Sequence, residues 1–372
     1  MKKNSSSQQS PKRVEKAFRQ GSITIGMDLG DKQSCYCVLD SQGEVIHEGK
    51  VSTTKKAIAK VFGSMGSCRV ALEVGTHSPW VSRLLWVLGH EVVVANPRQV
   101  KLISASSRKD DRLDAQTLAR LARVDPQLLR PIQHRSEKAQ ADLMVIRVRA
   151  ALVEARTGLV NTARGLAKSL GERLPICDAD QMGVEQAKSL PAELQQVLEP
   201  LLKEVVSLTE KIKESDRKVE QIAREAYPET RLLQQVKGVG PLIALTFILT
   251  LEDKARFQKS RDVGCYVGLR PRRGDSGKSQ PQLRITKEGD AYLRKLLVQG
   301  AHYIVGYRGA DTDLRRWGLK LAARGGKRAK KAAIIAVARK LGILLHHLWV
   351  TGEVYEPLYN VNLQQARKKV AA

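Results

Sequence analysis

Aromatic and acidic side chains are both scarce in this chain. Phe, Trp and Tyr make up 4% of the 372 residues, and 38 Asp and Glu stand against 64 Lys and Arg. The low aromatic content argues against base stacking as the main way of binding nucleic acid. The formal net charge of +26 nevertheless predicts a polyanionic partner. Contacts to backbone phosphates are therefore the expected source of affinity.

Disulfide, zinc and membrane signals are also missing. None of the five cysteines belongs to a C-x-x-C pair, and they form no zinc-like grouping with the seven histidines. The first residues are basic but lack the apolar run of a signal peptide, and no segment is expected to span a membrane. The sequence predicts a cytoplasmic protein with reduced thiols and no membrane contact.

The first third of the chain has an α/β pattern. Residues 1–21 are rich in Ser, Gln and Lys and are expected to be a disordered tail. A domain over 22–135 follows, with β-rich runs at 23–29, 34–40, 44–51, 68–74 and 90–96 and with helices at 54–63, 79–88 and within 97–123. Three antiparallel strands continued by two parallel ones are the order of the ribonuclease-H-like (RuvC-like) fold.

The rest of the chain is predicted to be mainly helical. Residues 136–226 carry heptad-spaced side chains, among them Leu194, Leu198, Leu201, Val205, Leu208, Ile212, Ser215, Val219 and Ile222. This pattern predicts an antiparallel helical hairpin or coiled coil, which is either purely structural or serves oligomerisation or a clamp on nucleic acid. A C-terminal domain over 227–350 has a Gly- and Arg-rich middle at 268–290, and a basic tail, 351–372, ends the chain.

Four acidic residues are candidates for one metal site. Asp28 in GMDLG and Glu73 in ALEVG end two strands that are neighbours in such a sheet. Asp111 and Asp114 in KDDRLDA share one face of a helix. Asp31 and Asp110 are the alternatives that the spacing leaves open.

A cluster of four carboxylates requires a neutralising cation. Hard oxygen ligands suit Mg²⁺ or Mn²⁺, and two ions about 4 Å apart would stabilise both the attacking and the leaving oxygen of a phosphodiester. A single Asp at a strand end or helix start is more often a cap or a solvated charge, so the hypothesis depends on the four acids together.

A glycine turn and a basic loop are the candidate nucleic-acid contacts. In KGVGP, Gly238 and Gly240 would let main-chain N–H groups approach a phosphate, although an ordinary tight turn between helices explains them equally well. The loop after YVG carries seven candidate phosphate ligands: Arg270, Arg272, Arg273, Lys278, Arg284, Lys287 and Arg294.

Ser276 lies at the centre of that basic loop, next to Gly277. Nearby guanidinium groups would stabilise the charge that develops when its hydroxyl attacks a phosphate. Ser279 is the competing nucleophile. The loop has no His and Asp pair near the serine, which argues against a hydrolase triad.

With these motifs in view, the chain resembles the DEDD transposases of bacterial insertion sequences, the family of bridge-RNA-guided recombinases. The resemblance rests on MDLG, ALEVG, KDDRLDA, KGVGP and GLRPRRGDSG, followed by RITKEG. It implies that Asp28, Glu73, Asp111 and Asp114 are the catalytic acids. It also implies that Ser276 forms a covalent phosphoserine link to DNA.

The resemblance also implies an assembly. Family members combine a resolvase-like N-terminal domain, a coiled-coil insertion and a C-terminal transposase domain, and they form dimers or tetramers in which the acids of one subunit meet the serine of another. A noncoding RNA pairs with donor and target DNA. Two other interpretations stay open: a metal-dependent junction resolvase or nuclease that does not need Ser276, and a non-catalytic nucleic-acid-binding scaffold.

Overall fold

The computed structural model describes residues 23–96, 110–277, 279–281, 283–360 and 362–363. The chain divides into two compact units, Met1–Arg135 and Ser136–Ala372. The tail expected at 1–21, the first part of the helical stretch expected within 97–123 and Lys278 lie outside the described residues.

The first unit is built on a five-stranded mixed sheet. Its strands are β1 (Thr24–Asp28), β2 (Gln33–Leu39), β3 (Val45–Ser52), β4 (Arg69–Glu73) and β5 (Glu91–Ala95), in the spatial order β3-β2-β1-β4-β5. The first three strands pair antiparallel, and β4 and β5 continue the sheet in parallel with β1. The predicted arrangement of strands is confirmed.

Helices α1 (Lys55–Phe62) and α2 (Ser78–Val87) provide the crossovers that parallel strands require. Helix α3 (Asp111–Val124) packs against β1 and β2. At Gly26 a Cβ would stand 1.9 Å from the carbonyl oxygen of Ala115, so only glycine allows the helix to approach β1 this closely. Asp28 lies two residues further along the same face of β1.

The second unit begins with two long helices, α4 (Glu137–Ser169) and α5 (Ala192–Glu225). They run antiparallel, because Arg149 pairs with Asp216 while Arg156, seven residues further along α4, bonds to Thr209, seven residues earlier in α5, at 3.2 Å. The predicted helical hairpin is thus present. Its buried seam includes Leu202, which is 0% exposed, whereas Leu201 is only partly buried.

Shorter helices complete this unit: α6 (Thr230–Gln234), α7 (Pro241–Leu251), α8 (Arg261–Tyr266), α9 (Ala291–Val305), α10 (Asp313–Ala322) and α11 (Gly326–Thr351). Helix α7 is buried from Ile243 to Leu251. A helix that is apolar all round belongs at the centre of a core, and residues of α9 and α11 surround it there.

Helix α11 corrects one expectation from the sequence. By length and composition it is apolar enough to cross a membrane, whereas no such segment was expected. Half of its apolar window is buried within the protein, where Val337, Leu341 and Leu345 join the hydrophobic core. The central helix of a protein core has the same composition, which is the physical reason for the overlap.

Candidate functional site

The carboxylates of Asp28 and Glu73 lie at one edge of the sheet. Asp28 ends β1 and Glu73 ends β4, and these strands are parallel neighbours with Met27 opposite Leu72. Because both strands point the same way, their last residues meet at the same edge. The sequence therefore placed these two acids correctly.

Asp111 and Asp114 occupy the first turn of α3. Asp110 precedes them as the N-cap, and its side chain accepts a hydrogen bond from the N–H of Arg112 at 3.0 Å. The close approach at Gly26 brings the start of this helix towards the end of β1. Asp110 is thus engaged in capping, and the next two acids of the motif face the sheet edge.

The pKa of Asp28 is affected by the other three carboxylates. It is raised from 3.8 to about 6, first by burial and then by the charges of Asp111, Asp114 and Glu73. The pKa of Glu73 is raised by burial and then by Asp114. Asp31 is absent from these interactions, because its side chain is 90% exposed. The structure brings together the four acids that the sequence singled out.

The donor set of this edge fits a divalent metal. Among the described residues, Asp28 and Glu73 enter none of the ion pairs, so no cation offsets the repulsion between the acids, and only the main-chain hydrogen bond from Leu29 lowers the pKa of Asp28. Carboxylate oxygens are the ligands that Mg²⁺ and Mn²⁺ prefer. No three His, Cys, Asp or Glu side chains in the described part of the chain stand close enough to hold an ion as they are. Binding would therefore require the carboxylates to rotate towards one another.

A histidine near this edge was missed by the sequence reasoning. The Nδ1 of His77 accepts a hydrogen bond from the indole N–H of Trp80 at 3.1 Å, and its Nε2 lies 3.4 Å from Asp31. Both partners fix the ring at the start of α2, four residues after Glu73. The motif THSPW directly after a strand end was the signal that could have identified it.

Residues 268–290 form a basic hairpin arm between α8 and α9. Main-chain hydrogen bonds join its two sides, from Thr286 N–H to Arg270 O and from Arg272 N–H to Arg284 O, both at 2.9 Å. At its base, a Cβ on Gly268 would lie 2.2 Å from the carbonyl oxygen of Glu288. The arm is therefore an ordered ladder that closes on a tight glycine contact.

Ser276 closes the turn at the tip of the arm. Its N–H donates to the carbonyl of Ser279 at 3.1 Å, and the N–H of Ser279 donates back at 2.9 Å. Gly277, which follows Ser276, takes a left-handed conformation with φ of 55°, which favours glycine. Ser276 is exposed, so its hydroxyl is accessible to a substrate.

The basic residues of the arm fall into two groups. The exposed ones are Arg270, Arg272, Arg273, Arg284 and Lys287. Arg294 differs, because its guanidinium donates to the carbonyls of Val267 at 3.1 Å and Glu288 at 2.7 Å and so holds the base of the arm. Arg294 thus has a structural part at the base of the arm, and its expected phosphate contact stays a prediction.

The two glycines of KGVGP have different surroundings. Gly238 has φ of 96°, and a Cβ there would lie 2.8 Å from the ring of Tyr303. It therefore serves the packing of its own unit. Gly240 caps α7 without a side-chain hydrogen bond, and the space around its Cα is open. Gly240 is exposed and Gly238 is partly buried, and the expected contact of their N–H groups with a phosphate stays a prediction.

An acidic edge on a mixed sheet, together with an exposed basic hairpin, is what an enzyme acting on nucleic-acid phosphates requires. The family model for DEDD transposases of the IS110 type matches residues 25–172. A second model, for transposases of the IS116/IS110/IS902 family, matches residues 230–313. The four acids lie in the first match, and Gly238, Gly240 and Ser276 lie in the second.

Curated relatives agree over most of the chain. A probable family 20 transposase of Pseudomonas aeruginosa is 30% identical over 344 residues, which are 90% of this chain and 98% of the relative. The transposase for insertion sequence element IS1111A of Coxiella burnetii is 28% identical over 342 residues, 89% of this chain and 90% of the relative. The chain belongs to the IS110 family of insertion-sequence transposases.

Proposed function

We propose that this transposase cuts and rejoins DNA with two sets of residues: the acids Asp28, Glu73, Asp111 and Asp114, and the nucleophile Ser276. The observation that carries the proposal is the convergence of four carboxylates from three separate segments at one sheet edge. The strand order β3-β2-β1-β4-β5 supports a ribonuclease-H-like, RuvC-like fold for the unit that holds them.

The attack of Ser276 on a DNA phosphate would need no energy-storing cofactor. The Oγ of Ser276 attacks the phosphorus, an Oγ–P bond forms, and the bond from phosphorus to the 3′ oxygen breaks. The leaving 3′ oxygen gains one proton for the one that Ser276 loses. Attack of another 3′ hydroxyl on the phosphoserine reverses these changes, so strand exchange needs no ATP.

The acids and the arm have separate tasks in this scheme. Asp28, Glu73, Asp111 and Asp114 would hold Mg²⁺ or Mn²⁺, which when bound supplies positive charge against the oxygens of the reacting phosphate. Arg270, Arg272, Arg273, Arg284 and Lys287 would hold the DNA backbone beside Ser276. Lys278, expected in the same role, lies outside the described residues.

The finer organisation of the protein is part of the proposal. Residues 136–226 would act as a coiled-coil region in a dimer or tetramer, and residues 227–350 as the C-terminal transposase domain, with 351–372 as a tail. Donor and target DNA would be paired with a guide RNA of the element. The net charge of +26 and the scarcity of aromatic residues support recognition of backbones by a cytoplasmic protein.

A metal-dependent junction resolvase or nuclease is the second candidate. The observation that favours it is that the four acids belong to the compact unit Met1–Arg135, whereas Ser276 belongs to the unit Ser136–Ala372. The acids therefore come together without any residue of the second unit.

Ser276→Ala separates the two candidates. The variant is expected to bind DNA and fold normally yet to form no covalent protein–DNA adduct on denaturing gels, with at least a 100-fold loss of cleavage. Ser279→Ala is the matched control, because it changes the residue across the same turn. Cleavage by Ser276→Ala at the wild-type rate would establish the metal-only nuclease, and an adduct mapped by mass spectrometry to Ser279 would reassign the nucleophile.

A further inference from the structure

The segment from Leu314 to Gly352 has an extreme charge. It contains ten Lys and Arg residues and no Asp or Glu. Helix α10, a turn and helix α11 make up this segment, and neither family match reaches it, since the second ends at residue 313. It lies apart from the hairpin arm in the sequence and was not among the expected nucleic-acid contacts.

The positive charges concentrate at the turn and the start of α11. Arg324, Lys327, Arg328, Lys330 and Lys331 are all exposed. In the described part of the chain none of these five enters an ion pair. Other basic residues of the segment do have partners, as Arg316 has in Asp311 at 2.6 Å and Lys340 in the ring of Trp317 at 4.0 Å. We call Arg324, Lys327, Arg328, Lys330 and Lys331 the basic turn.

The positive charges of the basic turn are unfavourable at the N-terminus of a helix. The N-terminus of a helix carries partial positive charge, which acids stabilise and cations destabilise. The first turn of α11 has no acid, and its N-cap, Gly325, makes no side-chain hydrogen bond. Gly325 and Gly326 both have positive φ, and a Cβ at either position would meet no atom within 4 Å. Such uncompensated repulsion indicates a site that is completed by an anionic partner.

We propose that the basic turn is a second DNA-binding surface, which holds the phosphate backbone of duplex DNA. Its five exposed cations, at the N-terminus of a helix that has no acid in its first turn, suit phosphate oxygens. The one aromatic residue of the adjoining helix, Trp317, is covered by Lys340, which leaves no stacking platform for unpaired bases. DNA is the substrate that membership of a transposase family supplies, and the proposal does not depend on the roles of Ser276 or the acids.

The test compares two fourfold variants of the full chain. The first replaces Lys327, Arg328, Lys330 and Lys331 by Gln, which keeps the helix propensity. The matched control replaces Lys211, Lys213, Arg217 and Lys218 of α5, four exposed cations interleaved with Glu210, Glu214 and Glu220. Binding of a mixed-sequence DNA duplex is measured between 50 and 300 mM salt in buffer with chelator, so that no cleavage occurs.

We expect the first variant to bind the duplex roughly 10- to 100-fold more weakly at 150 mM salt. The slope of its log affinity against log salt should be smaller in magnitude by about 3. The control variant should stay near wild type in both. The melting temperature of the first variant should not fall, because repulsion at the helix start is relieved. A triple variant with Lys327→Arg, Lys330→Arg and Lys331→Arg should keep the wild-type slope of log affinity against log salt. Equal slopes for both fourfold variants would overturn the proposal. A loss confined to duplex RNA would overturn the assignment to DNA.

Discussion

Asp28 is held in an environment that disfavours its own charge. Burial and three neighbouring carboxylates raise its pKa to about 6, so at neutral pH the folded protein holds an ionised group against a free-energy cost. Metal sites share this property, because the repulsion between ligands is relieved only when a cation binds. The metal-binding role that we propose for Asp28 would thus come at the expense of the stability of the metal-free protein.

Asp28→Asn is expected to stabilise the metal-free protein. The folded pKa lies above the unfolded value of 3.8, so the contribution of Asp28 to stability is fully present below pH 3.8 and is lost as pH rises through about 6. At pH 7.5 the variant should gain about 1–2 kcal/mol in the free energy of unfolding, after a discount for partial exposure. Urea denaturation in chelator between pH 4 and 8 measures this. Asp31→Asn is the control, and a variant no more stable than wild type at pH 7.5 would contradict the expected origin of the shift.

Asp110 and Asp111 are adjacent but have different expected roles. Asp110→Asn retains a good N-cap and should keep DNA cleavage within a fewfold of wild type with a stability change below about 1 kcal/mol. Asp111→Asn should abolish Mg²⁺-dependent cleavage, and chelation of the wild-type protein should have the same effect. Rates of cleavage of labelled DNA duplexes measure the effect of both substitutions. Abolished cleavage in Asp110→Asn with normal cleavage in Asp111→Asn would move the third ligand by one residue.

Among the structural elements, the helical hairpin shows how a heptad pattern departs from an observed seam. The spacing predicted Leu201 and Ile222 as seam residues, whereas Leu202 and Ala223 are the buried ones. A straight helix has 3.6 residues per turn, so a heptad repeat of side chains rotates about 20° around it with each repeat. Over several heptads the buried face therefore moves to the neighbouring residue. Pro200 inside the helix lies beside one of these shifts.

Two neighbouring leucines test that seam. Leu202→Ala should lower the free energy of unfolding by about 2–4 kcal/mol, because it opens a cavity in a fully buried position. Leu201→Ala removes the same atoms from a partly exposed position and should cost less than half as much. Thermal and urea denaturation measure both values. Equal losses for the two variants would favour the seam predicted from the heptad spacing.

The hairpin arm is the element in which local structure and chemistry are most closely joined. Its sequence is rich in Gly, Arg and Ser, and main-chain hydrogen bonds join Arg270 to Thr286 and Arg272 to Arg284 across its two sides. The contact at Gly268 and the guanidinium of Arg294 fix its base. If Ser276 is the nucleophile that we propose, its main-chain hydrogen bonds with Ser279 would help to orient it.

For the whole molecule, the charge of +26 requires compensation. We expect protein purified at low salt to carry a structured RNA of the element and to lose assembly after ribonuclease treatment. Sequencing of the bound RNA, with light scattering before and after digestion, measures both. Full assembly and recombination by RNA-free protein would exclude a guide RNA from the mechanism.

Prediction from the sequence succeeded where the signal was local. Alternating apolar residues located the five strands to within two residues, and the strand-end positions of Asp28 and Glu73 followed from them. The two acids of KDDRLDA were placed on a helix face in the same way. Local spacing does not reveal the carbonyl partners of Arg294, up to 27 residues away in the chain, and His77 was missed because its ring contacts Asp31, which lies between β1 and β2.

The sequence by itself determined the secondary structure, the basic character and the set of acids, because each depends on residue type and on spacing within a few positions. Tertiary structure alone decided that these acids act on one another. The pKa of Asp28 depends on α3 lying against β1, and that contact depends on the missing side chain of Gly26. Electrostatic repulsion falls with distance, and the distance between residues 28 and 114 is set by packing of the folded chain.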